Sequence, residues 1–262
     1  MQLTVDGRPT FVYAGAQEHR TDQSAVVFVH GAGLDHTVWV LPSRYFSRHG
    51  FNVLAPDLPG HGRSAGDAFD QIETMADWIV AMLDASDIQQ AAIVGHSMGS
   101  LVALASAGRH PSRYRSLCLI GSAIPMSVTD TLMDCARDND HTAIEMLTYW
   151  GYATRYHLGG NENPGMWMIG GTLRLWEQTA PGVLHRGLQA CHAYEAGITH
   201  ARAVRCPTLL LLGERDIMTP VRYGRELASE IEGARTTIFK GSAHHLMTER
   251  PDEILDALIS IV

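Results

Sequence analysis

The pentapeptide Gly95-His96-Ser97-Met98-Gly99 limits this 262-residue chain more than any other feature. The apolar run Ala91-Ala92-Ile93-Val94 precedes it, and residues 101–107 read as helix after it. A chain that passes from strand to helix in so few residues holds the central residue in a strained backbone conformation. Glycine on both flanks removes the Cβ atoms that would strike the strand and the helix. The serine then stands above a sheet, beside a helix N-terminus whose free amides favour negative charge.

The remaining pattern supplies that sheet. Residues 3–5 and 10–13 read as a hairpin around Asp6-Gly7. Residues 25–29, 51–55, 91–94, 116–120, 208–212 and 236–239 read as further strands, most of them continuous apolar runs. Runs of that kind are buried on both faces. Helical patterns fall between them at 38–47, 72–83, 101–107, 221–231 and 252–261. In the second, Ile72, Met75, Ala76, Ile79, Met82 and Leu83 form one stripe. Pro251 heads the last. Alternating strands and helices predict an α/β protein with a mostly parallel eight-stranded sheet flanked by helices. Residues 125–203 break the alternation, with helical segments at 142–152, 165–177 and 183–196 and no clear strand. They are expected to form a helical cap inserted into a core made of residues 1–124 and 204–262.

Composition excludes several function classes. The formal net charge is −8 and the only lysine is Lys240, so a nucleic-acid partner is not expected. No apolar stretch approaches the roughly 20 residues of a membrane-spanning helix, and residues 1–7 lack the charged start and apolar run of a signal peptide. A cytoplasmic protein acting on a small molecule is the expectation, without a membrane partner and with a homodimer left open. Cys118, Cys135, Cys191 and Cys206 show no CxxC spacing and read as reduced thiols. His185 and His192 stand seven apart with no third ligand in view, so no metal is expected.

Four motifs in order resemble the α/β-hydrolase superfamily over nearly the whole chain outside the inserted segment. They are His30-Gly31-Ala32-Gly33, the Asp57-to-Ser64 loop DLPGHGRS, Gly213-Glu214-Arg215-Asp216 after the seventh strand, and His244 five residues before Glu249 and Pro251. The resemblance implies the α/β-hydrolase fold, with Ser97 as nucleophile, His244 as general base and Asp216 as its orienting acid. It also implies an oxyanion hole from the backbone N–H groups of Ala32 and Met98, and no cofactor. Glu214 competes for the acid role, and His245 and His61 for the base. The Asp57 loop is expected to be structural. The chain order Ser, Asp, His is the one expected of this fold.

The inserted segment is rich in Met and aromatic residues, Met126, Met166 and Trp176 among them. Trp150, Trp167 and Tyr194 are expected to line an apolar substrate pocket. Arg155, Arg174 and Arg186 read as surface charges, with a substrate carboxylate as the competing role. The chain looks like small bacterial carboxylesterases and 3-oxoadipate enol-lactone hydrolases, which implies cleavage of a small, mostly apolar ester or lactone. Hydrolysis of a carbon–carbon bond in a vinylogous diketone is the alternative, and a non-catalytic binding protein the remote one.

Overall fold

The apolar runs become the strands of one sheet because both of its faces are covered. The computed structural model describes residues 1–15, 17, 19–20, 22–161 and 167–262. The strands are β1 (Gln2–Val5), β2 (Arg8–Tyr13), β3 (Ser24–Val29), β4 (Phe51–Pro56), β5 (Ala91–His96), β6 (Tyr114–Ile120), β7 (Thr208–Gly213) and β8 (Arg235–Phe239). Their spatial order is β1-β2-β4-β3-β5-β6-β7-β8. The β1–β2 and β2–β4 pairs are antiparallel, and every other pair is parallel.

Alternate residues of the runs serve opposite faces. Val27, Val29, Ile93, Leu117, Leu119, Leu210 and Leu212 pack with helices α2 (Ile72–Ala85) and α3 (Met98–Arg109), which follow α1 (Val40–Arg48) in the chain. Val26, Phe28, Val94, Cys118, Ile120 and Leu211 pack on the other face, against Trp39, Phe46, Ile254 and Leu258. Each such side chain contributes roughly 1.5–3 kcal/mol on burial, which is why the runs are apolar at every position rather than alternating.

Among the described residues, six helices lie between β6 and β7: α4 (Asp130–Arg137), α5 (Thr142–Gly151), α6 (Thr154–His157), α7 (Met168–Glu177), α8 (Val183–His192) and α9 (Gly197–Ala203). Then come α10 (Val221–Ser229), the short α11 (Leu246–Glu249) and α12 (Pro251–Ile259). The helix expected at 183–196 is shorter: α8 stops at His192, and a separate helix, α9, opens at Gly197. The helix expected from Gly165 begins at Met168, and Gly165 and Met166 fall outside the described residues. Helices α4, α6 and α9 were not expected. Two of them have eight residues or fewer of mixed character and α6 has a single turn, too little for a stripe to show.

Helix α9 packs along α3 rather than over the end of β5. The approach is so close that a Cβ on Gly108 would lie 2.4 Å from the His200 carbonyl oxygen. No helix among the described residues is long and apolar enough to cross a membrane. All four cysteines are free thiols.

Candidate active site

The strand–turn–helix at Ser97 is tighter than most backbones allow. A Cβ on Gly95 would sit 2.0 Å from the Gly99 carbonyl oxygen, and one on Gly99 would sit 2.2 Å from that of Val29. Ser97 itself takes φ 54° and ψ −124°, a left-handed conformation that costs on the order of 1–3 kcal/mol for a non-glycine residue. The surroundings hold it there. The Ser97 N–H donates to the Ile120 carbonyl at 3.0 Å, and the Ser97 carbonyl accepts from the Ser100 N–H at 2.8 Å and the Ser100 hydroxyl at 2.6 Å.

The loop after β7 brings Asp216 to His244. One Asp216 oxygen accepts the Met218 and Thr219 N–H groups at 2.9 and 2.8 Å. The other accepts the Thr219 hydroxyl at 2.5 Å and His244 Nδ1 at 2.8 Å. Burial alone would push this carboxyl up, but the charge and hydrogen bond of His244, with those of Thr219, hold it at about 2. An ionised carboxylate only accepts, so His244 Nδ1 carries hydrogen and the neutral ring presents a bare Nε2. That Nε2 is buried, has no hydrogen-bond partner among the described residues, and belongs to a residue lining one cavity with Ser97. Gly121, at φ 56°, is needed here twice over: a Cβ would also lie 3.0 Å from the His244 ring. The structure thus places Ser97 and the hydrogen-bonded His244–Asp216 pair at one cavity.

The competing residues have other partners. Glu214 is exposed and accepts the Gly241 N–H at 2.9 Å. The His245 ring stacks on Tyr152 with centroids 4.7 Å apart. His61 is buried beside His30, centroids 4.8 Å apart, with Nδ1 3.1 Å from the Pro59 carbonyl. The Asp57 carboxylate ties its own loop, accepting from His36 N, His36 Nδ1 and Arg63 N at 2.7–2.9 Å. Asp35, His36 and Asp57 lie close enough together to hold an ion, but both Asp57 oxygens, His36 Nδ1 and one Asp35 oxygen already take part in these bonds and in those from Thr37.

Met98 opens α3, so its N–H has no acceptor within the helix. Ala32 lines the cavity beside Ser97. His30 sets that loop: its Nδ1 lies 2.8 Å from the Gly31 carbonyl, and its Nε2 accepts the Leu58 N–H at 3.0 Å. The inserted helices brace the same loop in a way the sequence did not signal. Trp176 Nε1 donates to the Ala32 carbonyl at 3.1 Å, and the Thr179 hydroxyl to that of Gly33 at 2.6 Å. A Cβ on Gly187 would lie 2.9 Å from Ala32 Cβ and 3.0 Å from Met98 Sδ.

The His244 loop is tied to the insert as well. The His244 and His245 N–H groups both donate to the Gly151 carbonyl at 3.0 Å. The Glu249 carboxylate, buried, accepts Ala153 N and Ala243 N at 2.8 Å each.

The cavity over Ser97 has about 110 Å³ of free space and is walled by Met126, Val128, Leu132, Leu147, Trp150 and Ile217, among others. Among the described residues its lining holds no Lys or Arg. Trp150 lies where it was expected. Trp167 does not: it is 73% exposed at the start of α7, its ring folded over Gly170. Tyr194 is buried away from the cavity, its hydroxyl 2.6 Å from His200 Nδ1. Of the arginines weighed as carboxylate binders, Arg174 pairs with Glu177 and Arg186 donates to the Ala68 carbonyl.

Residues 26–257 match the sequence profile of the alpha/beta hydrolase family. The chain belongs to the alpha/beta hydrolase family. Among curated proteins, the 2-hydroxymuconate semialdehyde hydrolase of a Pseudomonas species is 30% identical over 265 residues, covering 91% of this chain and 87% of that one. Among solved structures, the enol-lactonase of Burkholderia xenovorans superposes with a TM-score of 0.87 at 22% identity, covering 99% of this chain and 98% of that one. An esterase of Exiguobacterium antarcticum gives 0.85 at 18%, covering 99% and 97%. The alpha/beta hydrolase family member described here is therefore a hydrolase in the fold of lactonases and esterases.

Acid should unfold this hydrolase early. Burial, followed by repulsion from His61 and His244 respectively, lowers His30 and His245 to about 3. An unfolded histidine takes its proton near 6.5. Between about pH 6.5 and 3 the unfolded chain thus binds more protons, and stability falls as pH falls. Each of these histidines removes up to roughly 1.4 kcal/mol per pH unit in that window. Urea midpoints measured from pH 7 to 4 should drop steeply, and a flat profile would contradict neutral buried imidazoles.

Proposed function

We propose that the chain is a serine hydrolase that cleaves a small, mostly apolar carboxylic ester or lactone through an acyl-enzyme on Ser97. His244 takes the Ser97 proton as the hydroxyl attacks the carbonyl carbon, and Asp216 holds the ring and stabilises its charged form. The Ala32 and Met98 amides receive the negative charge on the carbonyl oxygen. His244 protonates the leaving oxygen, then activates the water that releases the acid. The observation that carries this reading is Ser97 at positive φ, sharing an apolar cavity with His244, whose Nε2 has no hydrogen-bond partner among the described residues.

The second reading is hydrolysis of a carbon–carbon bond, favoured by the 30% identity to a 2-hydroxymuconate semialdehyde hydrolase. A muconate semialdehyde carries a carboxylate, and a buried carboxylate needs a partner of opposite charge. The cavity lining offers none among the described residues, which supports the neutral ester or lactone.

A panel of p-nitrophenyl acetate and butyrate, an enol-lactone and a ring-cleavage dienone decides between them. The esters and the lactone should turn over, and a fluorophosphonate should label Ser97. Turnover of the dienone alone would replace this reading with the carbon–carbon one. An unlabelled wild-type protein would remove both.

A further inference from the structure

Glycines on both sides of Ala32 leave its backbone little restraint of its own, so the place of this loop is set by what it is tied to. Three successive carbonyls are tied. That of Gly31 is held from the core, 2.8 Å from His30 Nδ1 and accepting the Leu34 N–H at 3.2 Å. The next two are held from the end of α7. Ala32 accepts from Trp176 Nε1 at 3.1 Å and Gly33 from the Thr179 hydroxyl at 2.6 Å. The Ala32 N–H itself takes no acceptor among the described residues.

A planar trans peptide points its N–H away from the carbonyl before it. Fixing the Gly31 carbonyl therefore sets the direction of the Ala32 N–H, and fixing the two after it sets where the turn carrying that N–H stands. Packing repeats the division of labour. Leu34, on the same loop, shares one apolar cluster with Trp176, Leu184 and Leu188. A Cβ on Gly33 would lie 3.0 Å from the Trp176 ring and 3.1 Å from Leu184. The Trp176 ring is buried there, so its N–H is held on the Ala32 carbonyl as long as α7 is seated.

We propose that Trp176 and Thr179 are positioning residues of the reaction, holding the Ala32–Gly33 turn where the Ala32 N–H meets the substrate carbonyl oxygen as it becomes negative. The inference rests on the acyl-enzyme reading above. The two donors are then fixed from different parts of the chain. The Met98 N–H is fixed by its own helix, and the Ala32 N–H by side chains more than 140 residues further on. Neither side chain donates to the substrate. Loosening them weakens the hold on the charged oxygen and leaves binding of the neutral ester alone, so the effect falls on kcat and not on KM.

The experiment compares wild type with Trp176→Phe, Thr179→Val, Thr179→Ser and Ile144→Val. The first two remove a donor and keep a ring or a branched side chain in place, and Thr179→Ser keeps the hydroxyl. Ile144 packs in the same apolar cluster as Trp176 and makes none of these bonds, so Ile144→Val loosens the packing alone. Three quantities are measured: kcat and KM for p-nitrophenyl butyrate, Tm, and the affinity for an alkyl trifluoromethyl ketone. Ser97 Oγ adds to the ketone carbon while its proton passes to His244, which leaves a tetrahedral oxyanion in the hole. Trp176→Phe and Thr179→Val should each lose on the order of tenfold in kcat, part of the 10²–10³ that a missing donor costs, with KM within about twofold. The ketone should bind them more weakly by the same factor. Thr179→Ser should match wild type, and Ile144→Val should lower Tm and spare both kcat and the ketone. A brace that only stabilises the fold would lower Tm and leave kcat and ketone affinity unchanged, which overturns the proposal. A fall in kcat without a fall in ketone affinity, an equal fall in Ile144→Val, or no recovery in Thr179→Ser also overturns it. Wild type that neither turns over the ester nor binds the ketone would instead remove the acyl-enzyme reading itself.

Discussion

Replacing Ser97 by alanine should lower kcat/KM for ester hydrolysis by roughly 10⁵-fold, the scale on which the members of a nucleophile–base unit act. The loss should be in kcat, because the cavity beside Ser97 is walled mostly by other residues. The same position offers a second reading. Ser97 holds φ 54°, which glycine adopts freely and serine does not. Ser97→Gly should therefore be as inactive as Ser97→Ala yet more stable than wild type by about 1 kcal/mol, equivalent to about 2–4 °C in Tm for a chain of this size. Kinetics and thermal denaturation on the same two variants check both halves. An alanine variant with more than a tenth of the wild-type kcat would remove Ser97 as nucleophile.

Asp216→Asn should cost on the order of 10⁴-fold in kcat, although the side chain is nearly isosteric. The reason is which nitrogen of His244 carries hydrogen. The carboxylate accepts from Nδ1 at 2.8 Å, and its oxygens also accept from Thr219 and Met218. An asparagine presents NH₂ on one side, and if its oxygen stays on the two backbone N–H groups, that NH₂ faces His244. The ring must then offer Nδ1 as acceptor and place its hydrogen on Nε2, where it can no longer take a proton from Ser97. The loss should persist across pH 6–9, since raising pH cannot restore the tautomer. Recovery of activity at high pH would show that Asp216 acts through charge alone.

The placement of residues that is set by their immediate neighbours was legible in the sequence. Ser97 stands between an apolar run and a helix, and those few residues determine its backbone angle. Asp216 and His244 each follow a strand end at a spacing set by one loop, so the parallel sheet delivers them to the same edge. The direction of side chains in the inserted helices was not legible. Trp150 and Trp167 are both large and apolar, yet one lines the cavity and the other covers Gly170 in contact with solvent. Nothing within either residue's own helix distinguishes them, because facing is decided by how α5 and α7 meet. Tyr194 was misread for a related reason: its hydroxyl finds His200 on the next helix. The bonds from Trp176 and Thr179 to the Ala32–Gly33 loop span more than 140 residues of chain and carry no local mark.

One carbonyl, that of Gly151, receives the peptide hydrogens of both His244 and His245. A lengthening or shortening of the chain just before it would therefore be transmitted directly to His244. Loop grafting and recombination among relatives meet a boundary there. The segment around α4, whose Leu132 walls the cavity, can be exchanged to retune what fits there. The elbow from α5 to α6 has to travel with the histidine loop and Glu249 as one inherited block.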